Sequence, residues 1–552
     1  MEEWIQATRV QKQKGGFLVT LSLPEEVSEI PRFAVISCSD QSGTGIPAFV
    51  KESFVLSGTG KVMMSARAGD PGNAKGKSHN GGIRVGITWE AGEMNLPDGD
   101  YGLFAVFSTK QVPVNLSGKA RLRLLLEDIW TPFGEDRIIF PMGGNKTSLV
   151  FRCRQKQTYD GKGMRLKEFV SFGLARLYRL RRRYSDHWLV YEKFCAQAQD
   201  NGYAFFSFCM EQLPEKERKR VYFILDKKSP FWPEVRARYG RQVIPFLSVR
   251  HFFEMMTARL YVASESRYHG YAWKAKPNLV FREIRTGGHD IHFLQHGVTA
   301  FKKDDEIFGA HGAEPMTSVS VTGKKEQEIF ARHFGYEKEK LPILGFARYD
   351  RLLPGKNDDS SRILVLPTWR SYLENVNEEE FRLTRYYQEY AGFLSDPRLW
   401  ELLKEYQAGL DFYLHPRFAK LISTFGEMDC EWISLIPYGK KPLDGLLNQS
   451  SALVTDYSSI AWDVFYQKKP VIFFQFDVQE YMEKTGSYLD FSRDLFGKQA
   501  VSKEELLKEL RHLTEGGFSE EKSCEDYRNS WFAYRDQQNS ARTYAWLKER
   551  GY

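Results

Sequence analysis

Cysteine is sparse in this chain. Its 552 residues hold six (Cys38, Cys153, Cys195, Cys209, Cys430 and Cys524), far apart and with no Cys-x-x-Cys pair. That argues against a zinc site and against a disulfide framework, and it fits a reducing compartment. Long apolar runs are missing too: no uncharged stretch reaches the roughly 18 residues a membrane span needs. The opening MEEWIQATRV lacks a basic region followed by an apolar one, so no secretory signal is expected. We find no internal repeat and no low-complexity segment. The net charge of +7 is modest for the length and does not call for nucleic acid as a partner. Aromatics are plentiful at 14 %, which suits large cores, carbohydrate contacts or a membrane interface without choosing among them.

The length predicts two or three domains. Residues 1–155 read as β-rich, with strands expected over 16–23, 33–37, 83–89, 101–107 and 121–126, a turn at 97–100 and a loop over 69–82. Short strands separated by turn residues point to a β-sandwich, either an accessory or acceptor-binding domain or a structural appendage. Residues 156–184 read as a basic helical linker. Within it, Leu166, Phe169, Val170, Leu174, Leu177 and Leu180 recur at helical spacing. Arg165, Lys167, Arg176, Arg179, Arg181, Arg182 and Arg183 supply positive charge against Glu168. Such a helix either lies on an anionic membrane surface or packs on its own domain with a solvated basic face.

From 185 to 345 strands (221–225, 260–263, 291–294, 318–321) alternate with helices (194–200, 249–257, 324–334). The pattern restarts over 346–552, with strands at 363–366, 412–414, 452–455 and 471–474 and helices at 378–390, 443–448 and 460–466. Two successive blocks of this kind predict two doubly wound, Rossmann-type sheets, whose ligands sit beyond the carboxyl ends of the strands. Informative polar residues fall at those ends. His296 follows one strand and precedes Gly297, a position suited to a general base near neutral pH. His289, His292 and His296 do not form a plausible metal set: along an extended strand His292 and His296 would lie about 13 Å apart. Thr368 and Arg370 close 363–366. His415, Pro416 and Arg417 close 412–414; His415 and Arg417 are donors suited to phosphate oxygens. Asp456, Tyr457, Ser458 and Ser459 join strand 452–455 to the next helix, and a hydroxyl-rich turn entering a helix favours phosphate. Gly345 to Asp350 sits where the blocks join, and Arg348 there reads either as a ligand contact or as an ion pair with Asp350.

The segments QHGVTAFKK (295–303), GFARYD (345–350), LPTWR (366–370), YLHPR (413–417) and TDYSSIAWDVFYQKKPVIFFQFD (455–477) together resemble the CDP-glycerol glycerophosphotransferase family, the teichoic acid polymerases and primases of Gram-positive bacteria. The resemblance runs over roughly 185–490. It implies a GT-B architecture and transfer of a polyol phosphate from a CDP-linked donor to a hydroxyl of a lipid-linked teichoic acid acceptor, with release of CMP and no cofactor. It implies an enzyme acting peripherally at the cytoplasmic face of the membrane. By the same resemblance His296 is the base and His415 contacts the donor pyrophosphate. It also puts Ser458, Ser459 and Asp463 on the donor side; from their places at the strand ends and at the junction we expect Arg370 (a phosphate or acceptor contact), Arg417 and Asp456 on the donor side, and Gly297, Lys302 and Arg348 on the acceptor side. The family's His-Gly-Thr-Pro-Leu-Lys reads here His296-Gly297-Val298-Thr299-Ala300-Phe301-Lys302, which shifts the lysine. A CDP-ribitol donor, a nucleotide-sugar glycosyltransferase of the same architecture and a non-catalytic polymer-binding scaffold are the competing readings.

Overall fold

The computed structural model describes residues 5–13, 16–22, 32–38, 83–88, 98–106 and 111–552, apart from 145–147, 162, 273, 353–360, 371–372, 374–375, 415, 427–429, 438–439, 442 and 522–523. The expected loop over 69–82 and His415 therefore lie outside the described residues. The chain divides into two compact units. One comprises Met1–Ser185, Pro245–Ala258 and Tyr271–His289; the other comprises Asp186–Ile244, Arg259–Gly270 and Asp290–Tyr552.

The first unit holds two sheets. One is four-stranded, in the order Ile83–Thr88, Gly16–Ser22, Gln6–Gln13, Asn115–Leu116. The other runs Arg32–Cys38, Gly99–Val106, Leu149–Gln155, Arg137–Gly143, Thr131–Phe133, with Gln111–Pro113 paired beside Gly99–Val106. Side chains of both meet in one apolar cluster, where Phe17 stacks on Phe151 at 5.2 Å. One expected strand is a helix: residues 121–126 belong to Gly118–Leu126, capped by the Ser117 hydroxyl, which accepts from Ala120 N at 3.2 Å. Its Arg-Leu-Arg-Leu alternation imitates a strand, but Lys, Ala, Arg and Leu all favour helix and no β-branched residue opposes them.

The basic segment folds as the helix Met164–Arg179, and its burial is inverted. Glu168, Ser171 and Ala175 are buried, while Leu166, Phe169, Val170, Leu174 and Leu177, with Leu180 just beyond, are exposed. Polar bonds anchor the inner face. Glu168 accepts from Tyr271 OH at 2.9 Å and from Arg165 at 3.0 Å, and Ser171 donates to the Val249 carbonyl at 3.0 Å. Arg179 bonds Glu283 and the Met256 carbonyl. The helix thus packs within its unit, yet it presents leucines rather than a purely basic face to solvent. No helix among the described residues is long and apolar enough to cross a membrane.

The second unit carries two six-stranded sheets of the same strand order. The first runs Val243–Pro245, Val221–Leu225, Ser185–Tyr191, Ala258–Ala263, Asp290–Phe293, Ser318–Val319. The second runs Ile433–Ile436, Gly409–Tyr413, Arg362–Val365, Ala452–Thr455, Val471–Phe474, Lys498–Ala500 and is parallel throughout. Numbered along the chain, each order is 3-2-1-4-5-6, the doubly wound pattern whose order reverses between strands 1 and 4. Fully buried strands such as Val221–Leu225 and Val471–Phe474 read as continuous apolar runs because helices cover both faces. The expected helix at 194–200 lies later, at Asn201–Gln212, with Asp200 as its cap; Phe194 and Cys195 have positive φ and break the earlier turn. The helix expected over 378–390 is two, Glu378–Arg382 and Arg385–Leu394, the second capped by Thr384. Helix Ile460–Tyr466 is buried along nearly its whole length. The closing helix Asn539–Glu549 returns to the first sheet: Leu547 joins its core and Tyr544 meets Trp188.

Candidate active site

At the carboxyl edge of the first sheet, buried carboxylates organise the loops. Glu192, directly after strand Ser185–Tyr191, accepts from the backbone N–H groups of Gln199, Asp200 and Tyr203 at 3.1, 2.8 and 2.7 Å. Burial and neighbouring Asp200 push its carboxyl up to about 8 against the pull of those three donors. Glu265 follows the next strand across the switch point. Lys193 lies 3.5 Å and His269 3.7 Å from its carboxylate. Burial raises Glu265, but the charges of His296, His269 and Lys193 outweigh it and leave the carboxyl below its ordinary value.

His296 follows strand Asp290–Phe293 and is exposed. Its backbone is held from several sides. Preceding Gln295 has φ 59°, a costly region for a residue with a side chain. Gln295 donates to the Ser320 carbonyl at 2.6 Å and to Glu326 at 3.2 Å. Asn201 donates to the carbonyls of Leu294 and Gln295 at 3.3 and 2.8 Å. Glu326 also accepts from Thr299 N and from Thr322, so one buried carboxylate staples the 295–299 loop. The loop then enters the core of the second sheet. Val298, Ala300 and Phe301 are buried there, Phe301 against Trp462 at 5.3 Å and Phe473 at 5.6 Å. The apolar residues at 298–301 therefore fill that core. Lys302 is pushed outward and pairs with Asp304 at 2.8 Å.

At the carboxyl edge of the second sheet, Asp456 is fully buried. It accepts from Thr368 N and Tyr457 N at 2.8 and 2.7 Å and meets Arg370 at 2.9 Å. Arg370 also grips Asp477 through two bonds of 2.8 and 3.1 Å and donates to the Thr368 carbonyl. Arg370 and Asp456 thus brace the ends of strands Arg362–Val365 and Ala452–Thr455 against each other, with their polar atoms turned to protein partners. Ser458 and Ser459 are half-buried on the turn above them.

Arg348 joins the two edges. Its guanidinium donates to Asp463 from Nε at 3.0 Å and Nη2 at 2.7 Å, to Asp200 from Nη1 at 2.9 Å, and to the His296 carbonyl from Nη1 at 3.1 Å. Asp463 also accepts from Tyr349 OH at 2.9 Å. Burial opposes the guanidinium charge, and Asp463 and Asp200 more than restore it. Asp350 is not its ion-pair partner; it caps the closing helix, accepting from Asn539 N and Ser540 N at 2.8 Å each. Gly297 abuts the turn: a Cβ there would overlap the Ser459 hydroxyl and come within 2.8 Å of Ser459 Cβ.

The structure thus brings His296, Gly297, Arg348, Asp463 and Ser459 into one neighbourhood, with Arg370 and Asp456 beneath the hydroxyl turn. The side chain of Arg417 lies outside the described residues, as His415 does. His292 holds Ser318 and Ser320 through its two ring nitrogens at 2.8 and 2.9 Å, and His289 Nδ1 meets the Ala258 carbonyl. Among the described residues no cluster of metal-ligating side chains occurs. Sequence reasoning passed over Glu192, Asp200, Glu265 and Glu326. Glu192 and Glu265 carry a usable signal, each being the first carboxylate after a strand.

The family model described as CDP-Glycerol:Poly(glycerophosphate) glycerophosphotransferase matches residues 175–548. The chain belongs to that family. Among the curated proteins it is similar to, the minor teichoic acid biosynthesis protein GgaB of Bacillus subtilis (strain 168) is 25 % identical over 361 residues, 63 % of this chain and 38 % of that protein. The teichoic acid poly(glycerol phosphate) polymerase of the same organism is 23 % identical over 356 residues, 59 % of this chain and 44 % of that protein. A teichoic acid poly(ribitol-phosphate) polymerase of Bacillus spizizenii (strain ATCC 23059 / NRRL B-14472 / W23) is 24 % identical over 249 residues, 40 % of this chain and 38 % of that protein. The chain spans less than half the length of these relatives. A solved structure of the wall teichoic acid polymerase TagF, a histidine-to-asparagine variant soaked with CDPG, superposes with a TM-score of 0.51 at 17 % identity, covering 70 % of this chain and 97 % of that one. That likeness establishes a shared α/β fold with parallel sheets.

Proposed function

We propose that this protein transfers glycerol phosphate from CDP-glycerol to the terminal hydroxyl of a lipid-linked teichoic acid acceptor, releasing CMP. The observation that supports the reading is the close approach of Gly297 to the Ser459 turn, next to the exposed His296 and at the carboxyl edge of a second doubly wound sheet. In the proposed step, His296 takes the proton of the acceptor hydroxyl. The oxygen attacks the glycerol-side phosphorus, the bond to the bridging oxygen breaks, and CMP leaves with the electron pair. Phosphoryl transfer asks mainly for positioning and charge stabilisation. Ser458, Ser459, His415 and Arg417 are assigned to the diphosphate, and Lys302 to the acceptor side. Arg370, Asp456 and Asp463 hold the donor side in shape, and no cofactor is needed to balance the reaction.

The acceptor is lipid-linked in this reading, so we assign the protein to the cytoplasmic face of the membrane. Its contact with anionic lipid would run through the exposed leucines of the helix Met164–Arg179 and the arginines that follow. The two sheets of the first unit are read as a β-sandwich that assists acceptor binding. CDP-ribitol is the second candidate donor, favoured by the similarity to a poly(ribitol-phosphate) polymerase.

The test is incubation with CDP-glycerol or CDP-ribitol and a lipid-linked acceptor, measuring CMP and product length. CMP from one donor decides the polyol. His296→Ala should cut turnover by about 10²–10⁴-fold with donor binding retained, and unchanged turnover removes the base assignment. Release of a nucleoside diphosphate from a nucleotide sugar would favour the glycosyltransferase. Polymer binding without turnover would favour the scaffold.

A further inference from the structure

Arg348 is where three chain segments converge on the backbone of the proposed base. Besides the bonds of its guanidinium, its own N–H donates to Asn201 Oδ1 at 3.0 Å. The same Asn201 side chain holds the carbonyls of Leu294 and Gln295. Asp200, which shares Arg348 Nη1 with the His296 carbonyl, caps the helix that Asn201 begins. On the other side, Asp463 lies four residues after Ser459, one turn along the helix Ile460–Tyr466. One guanidinium therefore ties the 294–296 backbone of the first sheet to the helix that carries the hydroxyl turn of the second.

We propose that Arg348, held by Asp463 and Asp200, is a positioning residue that fixes the His296 backbone against the Ser459 turn, so that base and phosphate-side turn are assembled before the donor arrives. This rests on the transferase reading above. A ligand-binding arginine would turn its fork toward open space, whereas the fork of Arg348 is filled by Asp463, Asp200 and a backbone carbonyl. An ion pair serving stability alone would be satisfied by the three-bond grip on Asp463. The further bond to the His296 carbonyl, and that of Arg348 N to Asn201, act on the strand end that presents the imidazole. A displacement of about 1 Å at reacting groups costs on the order of 10²-fold in rate, and planar bidentate geometry resists such displacement better than a lysine point charge does.

The experiment compares wild type, Arg348→Met, Arg348→Lys and Asp463→Asn by three readouts: kcat for CMP release, Kd for CDP-glycerol by calorimetry, and amide hydrogen exchange over 294–300. We expect kcat to fall about 100-fold in Arg348→Met, with an intermediate loss in Arg348→Lys. The donor Kd should change by less than about threefold, because uniform donor binding is not what the clamp supplies. Exchange over 294–300 should accelerate. Should Arg348→Met fail to fold, Arg348→Lys and Asp463→Asn carry the comparison. A rise in donor Kd that accounts for the whole loss makes Arg348 a ligand contact and overturns the proposal, as does unchanged exchange over 294–300. A wild-type protein that releases no CMP from either CDP-polyol overturns the transferase reading, and the exchange measurement still decides whether the clamp holds the strand end.

Discussion

Replacing Leu177 and Leu180 by serine should detach the protein from anionic vesicles without unfolding it. Leu180 is 82 % exposed, Leu166 67 % and Leu177 64 %. Full burial of a leucine side chain is worth about 2 kcal/mol, so Leu177 and Leu180 together can bring about 3 kcal/mol to a lipid interface. The whole stripe, with Phe169, Val170 and Leu174, can bring about 7 kcal/mol at most. Arg181, Arg182 and Arg183 follow directly and are exposed, each adding about 1 kcal/mol near an anionic surface. The double substitution should weaken partitioning about 100-fold. Cosedimentation with vesicles containing phosphatidylglycerol measures this, with phosphatidylcholine vesicles as the control. Binding to the anionic vesicles should fall with added salt, since surface charge is screened within about 10 Å at 0.1 M. The inner face, held by Glu168, Ser171 and Arg179, is untouched, so the melting temperature should stay within about 2 °C. Equal binding to both vesicle types, or binding indifferent to the serines, would refute the reasoning. A melting temperature lowered by several degrees would also refute it, because that would mean protein rather than lipid covers the stripe.

Gly297→Ala should cost about 1–3 kcal/mol through its collision with Ser459 and lower CMP release; urea unfolding and the turnover assay check both, and a variant indistinguishable from wild type would deny the close approach. Phe301→Ala should destabilise the second unit by about 3–5 kcal/mol, read as a lower urea midpoint. Burial holds the His292 imidazole down at about 3 against an ordinary 6.5. The unfolded chain therefore binds a proton below about pH 6.5 that the native protein refuses until about pH 3, and stability is lost as pH falls through that window. The loss is about 1.4 kcal/mol per pH unit, or about 2 kcal/mol by pH 5. His292→Gln should flatten that part of a stability–pH curve, and an unchanged slope would clear His292 of the effect.

Much of the second unit was legible because buried parallel strands are apolar from end to end, as at Val221–Leu225, Ala452–Thr455 and Val471–Phe474. His296, Asp456 and Ser459 were legible as polar residues at strand ends, since polar side chains of a doubly wound sheet gather at its carboxyl edge. Strand Ser185–Tyr191 was missed because Ser, Asp and His open it, and with it went Glu192. Residues 121–126 misled because alternation of Arg and Leu satisfies a strand period while propensity favours helix.

By itself the sequence determined the period of most elements of the second unit and the alternation of strands and helices there, because both depend on neighbours along the chain. It could not determine the partners of Arg348, which come from positions 148 and 115 residues away, nor which carboxylates would be buried as staples. Those pairings exist only once two sheets are packed and water is excluded, when an unmatched charge becomes costly. The helix Met164–Arg179 shows the same division. Its period revealed two unlike faces, and tertiary packing alone turned Glu168 and Ser171 inward and left the leucines to solvent, because Tyr271 and the Val249 carbonyl offer polar partners on the inner side.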